Sequence, residues 1–243
     1  MIAAADIALA HALADAAGDA IRPFFRAHFE IETKPDRSPV TEADRAAEAA
    51  MRRLIEVERP RDGIIGEEHG IKESESGRSW VLDPIDGTRS FIAGRPIFGT
   101  LIALTVEGWP VLGVIDQPVS RERWIGAMGR KTEFNGAAAN TRPCSAIGGM
   151  RLATTSPDLF SGGGVGRFMA LVAAIHREDG QGPSMAAIAI TTRWSRRGIS
   201  IWSSSRGSSS MTLPRSFRWS RARAGGCAIG RASRSTPTAR ATS

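Results

Sequence analysis

Asp83 and Asp86 stand three residues apart in the string Trp80-Val81-Leu82-Asp83-Pro84-Ile85-Asp86-Gly87-Thr88. Glu67 precedes them in Gly66-Glu67-Glu68-His69-Gly70. Three carboxylates near a glycine turn are the oxygen donors that hold hard cations. Gly87 and Thr88 follow with backbone N–H groups that can receive an anion, and cations beside such a nest suit a phosphate ester. The local expectation is an apolar strand over residues 80–82 running into a turn that presents both aspartates. Asp-Pro and Asp-Gly also favour turns on their own account, so a purely conformational role is the alternative.

Those groups need elements to hold them. Residues 2–27 read as an Ala-rich helix whose apolar face closes with Ile21, Phe24 and Phe25. Lys34 to Pro39 is a turn-rich connection. Thr41-Glu42-Ala43-Asp44 opens a second helix with Thr41 as its N-cap, an apolar face of Ala47, Met51, Leu54 and Ile55, and an end at Pro60. Ile64-Ile65 and residues 80–82 read as short buried strands, and Phe98 to Val106 as a longer one. Glu107-Gly108 turns the chain, so Val111 to Ile115 should pair back as a hairpin. Arg123–Ala127 and Thr132–Phe134 continue the meander to the turn at Asn135-Gly136. Arg151–Thr155 reads as the strand opening a second half, and Phe168–Ile175 as a helix, after which the periodicities fade.

The chain has 243 residues, 42% of them hydrophobic, enough for one or two packed domains. No apolar run reaches the roughly 18 residues of a membrane helix, and the N-terminus lacks the basic start of a signal peptide. Cys144 and Cys227 have no metal-type spacing and read as inert thiols in a reduced, cytoplasmic setting. The net charge of +7 is a misleading average. Residues 181–243 hold eleven Arg and no Lys, Asp or Glu, whereas residues 1–180 set 21 bases against all 25 acids.

The strings Gly66-Glu67-Glu68, Asp83-Pro84-Ile85-Asp86-Gly87-Thr88 and Val40-Thr41-Glu42-Ala43-Asp44 resemble those of the inositol monophosphatase family of metal-dependent phosphatases. The resemblance covers roughly residues 5–175. It implies a layered α/β sandwich of the αβαβα sugar-phosphatase type, Mg2+ as cofactor, a phosphate monoester as substrate and homodimers among intact relatives. It further implies that Glu67, Asp83 and the Ile85 carbonyl ligate a first metal, with Asp86 on a second and Asp83 bridging. Thr88 and Asp44 would orient and deprotonate the attacking water, and the N–H groups of Gly87 and Thr88 would hold phosphate oxygens. Mg2+ suits this chemistry because it lowers the pKa of water, neutralises the ester and stabilises the leaving alkoxide. Thr41-x-x-Asp44 also matches a capping box, so Asp44 has a structural reading beside the catalytic one. Glu68 reads as a supporting or solvated acid and His69 as facing either substrate or solvent, while His11 and His28 read as structural or solvated.

A longer string narrows the branch. Arg89-Ser90-Phe91-Ile92-Ala93-Gly94-Arg95-Pro96, with Gly113-Val114-Ile115-Asp116-Gln117-Pro118 and Arg121-Glu122-Arg123-Trp124, resembles the histidinol-phosphate phosphatases more than the inositol branch. The expected reaction is L-histidinol phosphate to L-histidinol and phosphate, in histidine biosynthesis. An inositol-phosphate or related sugar-phosphate phosphatase is the alternative.

The family also needs an aspartate in its second half, within a Tyr-Asp-x-Ala-Ala-like string, and no Asp or Glu follows Asp179. Back-translating from Met185 with GC-rich codons and reading two bases later restores family-like strings in order. Met185–Ile188 becomes Gly-Gly-Asp-Cys and residues 196–202 become Ala-Ala-Gly-His-Ile-Asp-Leu-Val. Residues 208–214 become Val-Glu-Tyr-Asp-Val-Ala-Ala, and residues 220–226 a Glu-Gly-Ala-Gly-Gly string. The expectation is a frameshift between about Ile175 and Met185. The domain reading is then a metal-binding half over 1–140, the start of a second half over 141–176, and an out-of-frame, largely disordered tail over 177–243. Activity should be impaired, because the lost Asp codon falls across Met211 and Thr212. A competing reading is an inactive protein whose Arg-rich tail, with Trp194, Trp202 and Trp219, binds nucleic acid.

Overall fold

The computed structural model describes residues 2–28, 31–33, 39–140, 153–154, 163–179 and 184–185. Helix α1 spans Ala4–Ile21 and continues as a 3-10 turn over Arg22–Phe24. It is shorter than the expected 2–27 because Pro23 lacks the N–H that the next helical turn would need. Leu9, Ala10, Leu13, Ala14, Ala17 and Ile21 form its buried face at helical spacing. Strands β1 (Ile31–Thr33) and β2 (Pro39–Thr41) pair as a small antiparallel ladder, absent from the expected elements, and lead into helix α2 (Glu42–Glu58).

An eight-stranded sheet follows, made of β3 (Gly63–Gly66), β4 (Ile71–Lys72), β5 (Arg78–Asp86), β6 (Gly99–Val106), β7 (Trp109–Gln117), β8 (Glu122–Ala127), β9 (Glu133–Phe134) and β10 (Ala137–Ala138). Its order is β10-β9-β8-β7-β6-β5-β3-β4, and only the β3–β5 pair is parallel. A short helix α3 (Thr88–Ile92) sits between β5 and β6. Glu107-Gly108 and Asn135-Gly136 make the hairpin turns, all four residues at positive φ as tight primed turns require. Helices α1 and α2 pack on each other and on β3, β5, β6 and β7. The core between these layers joins Leu13, Ile21, Met51 and Ile55 to Ile64, Trp80, Leu82, Ile102 and Leu104. The described residues therefore form a helix layer over a mostly antiparallel sheet, as the layered α/β expectation requires.

Two partly buried charge networks tie the layers together. Arg78 on β5 donates to Asp6 of α1 at 2.6 Å and to Asp62 at 3.4 Å, and Asp62 also accepts from Trp80 Nε1 at 3.1 Å. Arg123 on β8 donates at 2.6 Å to both Asp116 and Asp15, and contacts His11 of α1 at 3.2 Å. His11 thus has a structural place, and His28 is exposed.

After the sheet the described residues form β11 (Ala153–Thr154), α4 (Gly163–Asp179) and β12 (Ser184–Met185), with β11 and β12 parallel. Helix α4 runs past His176 to Asp179, so the fading periodicity does not mark its end. Cys144, Cys227, Met211, Thr212 and the tail from residue 186 onward lie outside the described residues, as does the proposed boundary at 141.

Candidate active site

Strand β5 does not stop before the carboxylates. It runs to Asp86, so both aspartates lie on the strand and not in a turn beyond it. The register explains how Pro84 is accommodated. Asp83 pairs with Leu101 and Asp86 with Gly99, so three steps on β5 oppose two on β6. This bulge absorbs a residue that cannot donate to the ladder, and the Thr100 hydroxyl donates to the Pro84 carbonyl at 2.8 Å. In a regular strand residues three apart face opposite sides. The extra residue cancels that alternation and brings Asp83 and Asp86 to one side, where their charges act on each other.

Gly87 caps α3 at φ 96°, a left-handed conformation that favours glycine. A Cβ there would lie 3.3 Å from the Ile97 carbonyl. Ser90 and Phe91 N–H both donate to the Gly87 carbonyl, which leaves the N–H groups of Thr88 and Arg89 in the helix's unpaired first turn. The Thr88 hydroxyl donates to the Ile85 carbonyl at 3.1 Å. Phe91 and Phe98 pack edge to face at 5.0 Å, with Phe25 against both, and so fix α3 from below.

Helix α2 brings Asp44 to the same place. Its Oδ2 accepts from the Thr41 N–H at 2.9 Å and the Thr41 hydroxyl at 2.6 Å. The capping reading is therefore met by the structure. The group is also nearly inaccessible, and its carboxyl is pushed up to about 6, first by burial and then by the charges of Glu68 and Glu67, against the lowering effect of Thr41. A carboxylate poised near neutrality and facing other acids can also take a proton from water.

Asp83 carries the strongest electrostatic anomaly. Its residue surface is partly open, yet Oδ1 is shut off from solvent and has no hydrogen-bond donor. Its carboxyl stands well above the usual range, because of desolvation, then Asp86, then Glu67, which also shares a hydrogen bond with it, then Asp44. A shielded carboxylate oxygen without a donor, surrounded by like charge, is what a bound cation relieves. Oxygen donors from Glu67, Asp83, Asp86 and the Ile85 carbonyl fit a hard dication. Among the described residues, no three acidic, His or Cys side chains already stand at the spacing of a closed coordination shell.

One residue of this region was not foreseen. Glu48 is wholly buried, and accepts from Arg52 Nε at 2.8 Å, the Glu68 N–H at 2.7 Å and the His69 N–H at 3.0 Å. The buried face of α2 is Ala43, Asp44, Ala47, Glu48, Met51 and Ile55, turned from the expected face so that Leu54 is only partly covered. The signal was two acids one helical turn apart among apolar residues. His69 is exposed, its ring 3.5 Å from Glu48, and Glu68 is half-buried.

Residues 4–162 match the model of the inositol monophosphatase family. Among curated relatives, the chain is 54% identical over 156 residues to "Bifunctional phosphatase IMPL2, chloroplastic" of Arabidopsis thaliana, covering 63% of this chain and 45% of that one. It is 41% identical over 160 residues to a histidinol-phosphatase of Mycobacterium tuberculosis, covering 65% and 62%. The chain thus spans only about half to three-fifths of these relatives' length. An inositol monophosphatase from Zymomonas mobilis superposes with a TM-score of 0.69 at 48% identity, covering 81% of this chain and 75% of that structure. With the carboxylate-bearing bulge of β5, the Gly87 cap and the Asp44 helix all inside the matched span, the chain belongs to the inositol monophosphatase family.

Proposed function

We propose that this chain carries the metal-binding half of a Mg2+-dependent phosphomonoesterase acting on L-histidinol phosphate in the cytoplasm. The observation that carries the reading is the shielded Asp83 Oδ1, without a protein donor and ringed by acids. Glu67, Asp83, Asp86 and the Ile85 carbonyl would hold the metal, which when bound supplies charge neutralisation and a more acidic water. Asp44, buried and near neutral in its proton affinity, takes the proton of the attacking water. The Thr88 hydroxyl orients that water, and the N–H groups of Gly87 and Thr88 hold phosphate oxygens. Positioning and electrostatics do most of the work in phosphoryl transfer, so a rigid α3 turn is a functional part. The histidinol-phosphatase relative and the string from Arg89 to Pro96 support the substrate. The inositol monophosphatase from Zymomonas mobilis favours the second reading, an inositol phosphate.

The tail reading remains part of the proposal. With no acid after Asp179, the second metal lacks its further ligand, and turnover by this chain is weak or absent. Intact relatives would be homodimers. The decisive assay compares phosphate release from L-histidinol phosphate and inositol 1-phosphate, with Mg2+ and with EDTA, by this chain and by a frame-restored version. The expected result is Mg2+-dependent release by the restored protein, with histidinol phosphate preferred. Equal rates from both proteins would sink the damage reading, and preference for inositol phosphate would sink the substrate. A salt-sensitive complex with single-stranded RNA, lost on deleting 181–243, would revive the nucleic-acid alternative.

A further inference from the structure

We propose that Glu48 is a positioning residue that sets the place of Glu67, an inference resting on the reading of Glu67 as a metal ligand. A lone buried carboxylate is strongly unfavourable, so its partners show what it is for. Glu48 lies on α2 at 0% exposure, and two of its partners are backbone N–H groups of a single loop. Oε2 receives the Glu68 N–H and Oε1 the His69 N–H, so the carboxylate grips the chain immediately after Glu67. On the other side of Glu67 the grip is steric. A Cβ on Gly66 would lie 1.8 Å from Glu48 Oε1, so the backbone passes flush against the carboxylate there and any larger residue would have to displace it. The loop is closed by the Gly66 N–H donating to the Gly70 carbonyl at 2.9 Å, and Arg52 holds both Glu48 and that same carbonyl. Glu67 is thereby flanked on both sides by contacts to one side chain.

That side chain stands one turn beyond Asp44 on the same helix, so α2 acts as a ruler between the base and the Glu67 loop. Substituting Glu48 should move the ligand without touching the Thr41–Asp44 cap. Glutamine keeps the shape but offers one acceptor oxygen, and its NH2 then faces an N–H or the guanidinium, donor against donor. Groups that orient a metal ligand from behind typically alter affinity about 10–100-fold when changed.

The test is a Mn2+ titration of the full chain followed by electron paramagnetic resonance, with amide hydrogen exchange at Glu68 and His69. Glu48→Gln should weaken Mn2+ binding by at least about tenfold and speed exchange at both amides. Asp62→Asn is the matched control, since Asp62 is a buried carboxylate bonded to Ser76, Arg78 and Trp80 away from the loop. It should lower thermal stability and leave Mn2+ affinity unchanged. Should Glu48→Gln fail to fold, Arg52→Gln loosens the same grip and should weaken Mn2+ binding in the same direction. Wild-type affinity in Glu48→Gln, or in Arg52→Gln if only that variant folds, would overturn the inference. So would an equal loss in Asp62→Asn. A wild-type chain that binds no Mn2+ would overturn the metal reading itself.

Discussion

Asp44 makes the metal-free protein sensitive to pH in a direction opposite to that of most carboxylates. Its carboxyl rises from 3.8 to about 6 on folding, so between these values the folded state holds a proton that the unfolded state has released. Stability then falls as pH rises through this window and is flat with respect to this group below 3.8 and above about 6. At about 1.4 kcal/mol per tenfold change in proton affinity, the full effect is roughly 3 kcal/mol. Asp44→Asn removes it, because an amide does not ionise. The amide also weakens the bonds from Thr41, but that loss is a constant offset across pH.

The quantity to read is therefore the change with pH of the stability difference between wild type and Asp44→Asn. It is measured by urea unfolding in EDTA, followed by tryptophan fluorescence. The wild-type advantage should shrink by up to roughly 3 kcal/mol on going from about pH 4 to about pH 7. Added Mg2+ should flatten the dependence, because a cation among Glu67, Asp83 and Asp86 offsets the like charge that Asp44 faces. Parallel curves for the two proteins in EDTA would refute the reasoning, since Asp44 would then ionise alike in both states.

The other tests isolate one contact each. Asp83→Asn should raise the melting temperature without metal, by relieving like charge around a shielded oxygen, and should abolish the stabilisation that Mg2+ gives wild type. Gly66→Ala should cost about 1–3 kcal/mol in urea unfolding, because the new methyl collides with the Glu48 carboxylate. Gly87→Ala should cost about 1–2 kcal/mol from its left-handed backbone and should lower kcat in the frame-restored enzyme by shifting the Thr88 N–H.

Much of the fold was legible because it follows local rules. The Thr41 cap, the turns at Glu107-Gly108 and Asn135-Gly136, and the strands β6 to β9 all fall close to their expected places. The site was legible as residue types but not as geometry. Asp-Pro and Asp-Gly punctuate a sequence so strongly that β5 was expected to end at Leu82. It continues because a bulge can absorb a proline, and register with β6 is a long-range property. The signal of Glu48, one turn beyond Asp44, is weak for a similar reason. A glutamate on a helix is ordinarily solvated, and only the loop that folds back from Gly66 to Gly70 removes its water. The short strands β1, β2, β4 and β10 carry too few residues for a periodic signal.

The arrangement of donors implies a count that can be measured. Glu67, Asp83, Asp86, the Ile85 carbonyl and the proposed base Asp44 all lie between residues 44 and 88, inside the span that matches the family. Asp83 is strained first by burial and then by the charges of Asp86, Glu67 and Asp44, and one dication would offset that strain. A second ion held beside the first must be offset by further negative charge, and beyond Asp179 the charged side chains of this chain are all arginines. We therefore expect a single tightly bound Mn2+ per chain, and a second weaker one only in the frame-restored protein, counted by paramagnetic resonance at saturating metal. Two tight ions in the chain as it stands would show that the first half alone can balance both charges, and the impaired activity expected of this chain would lose its physical basis.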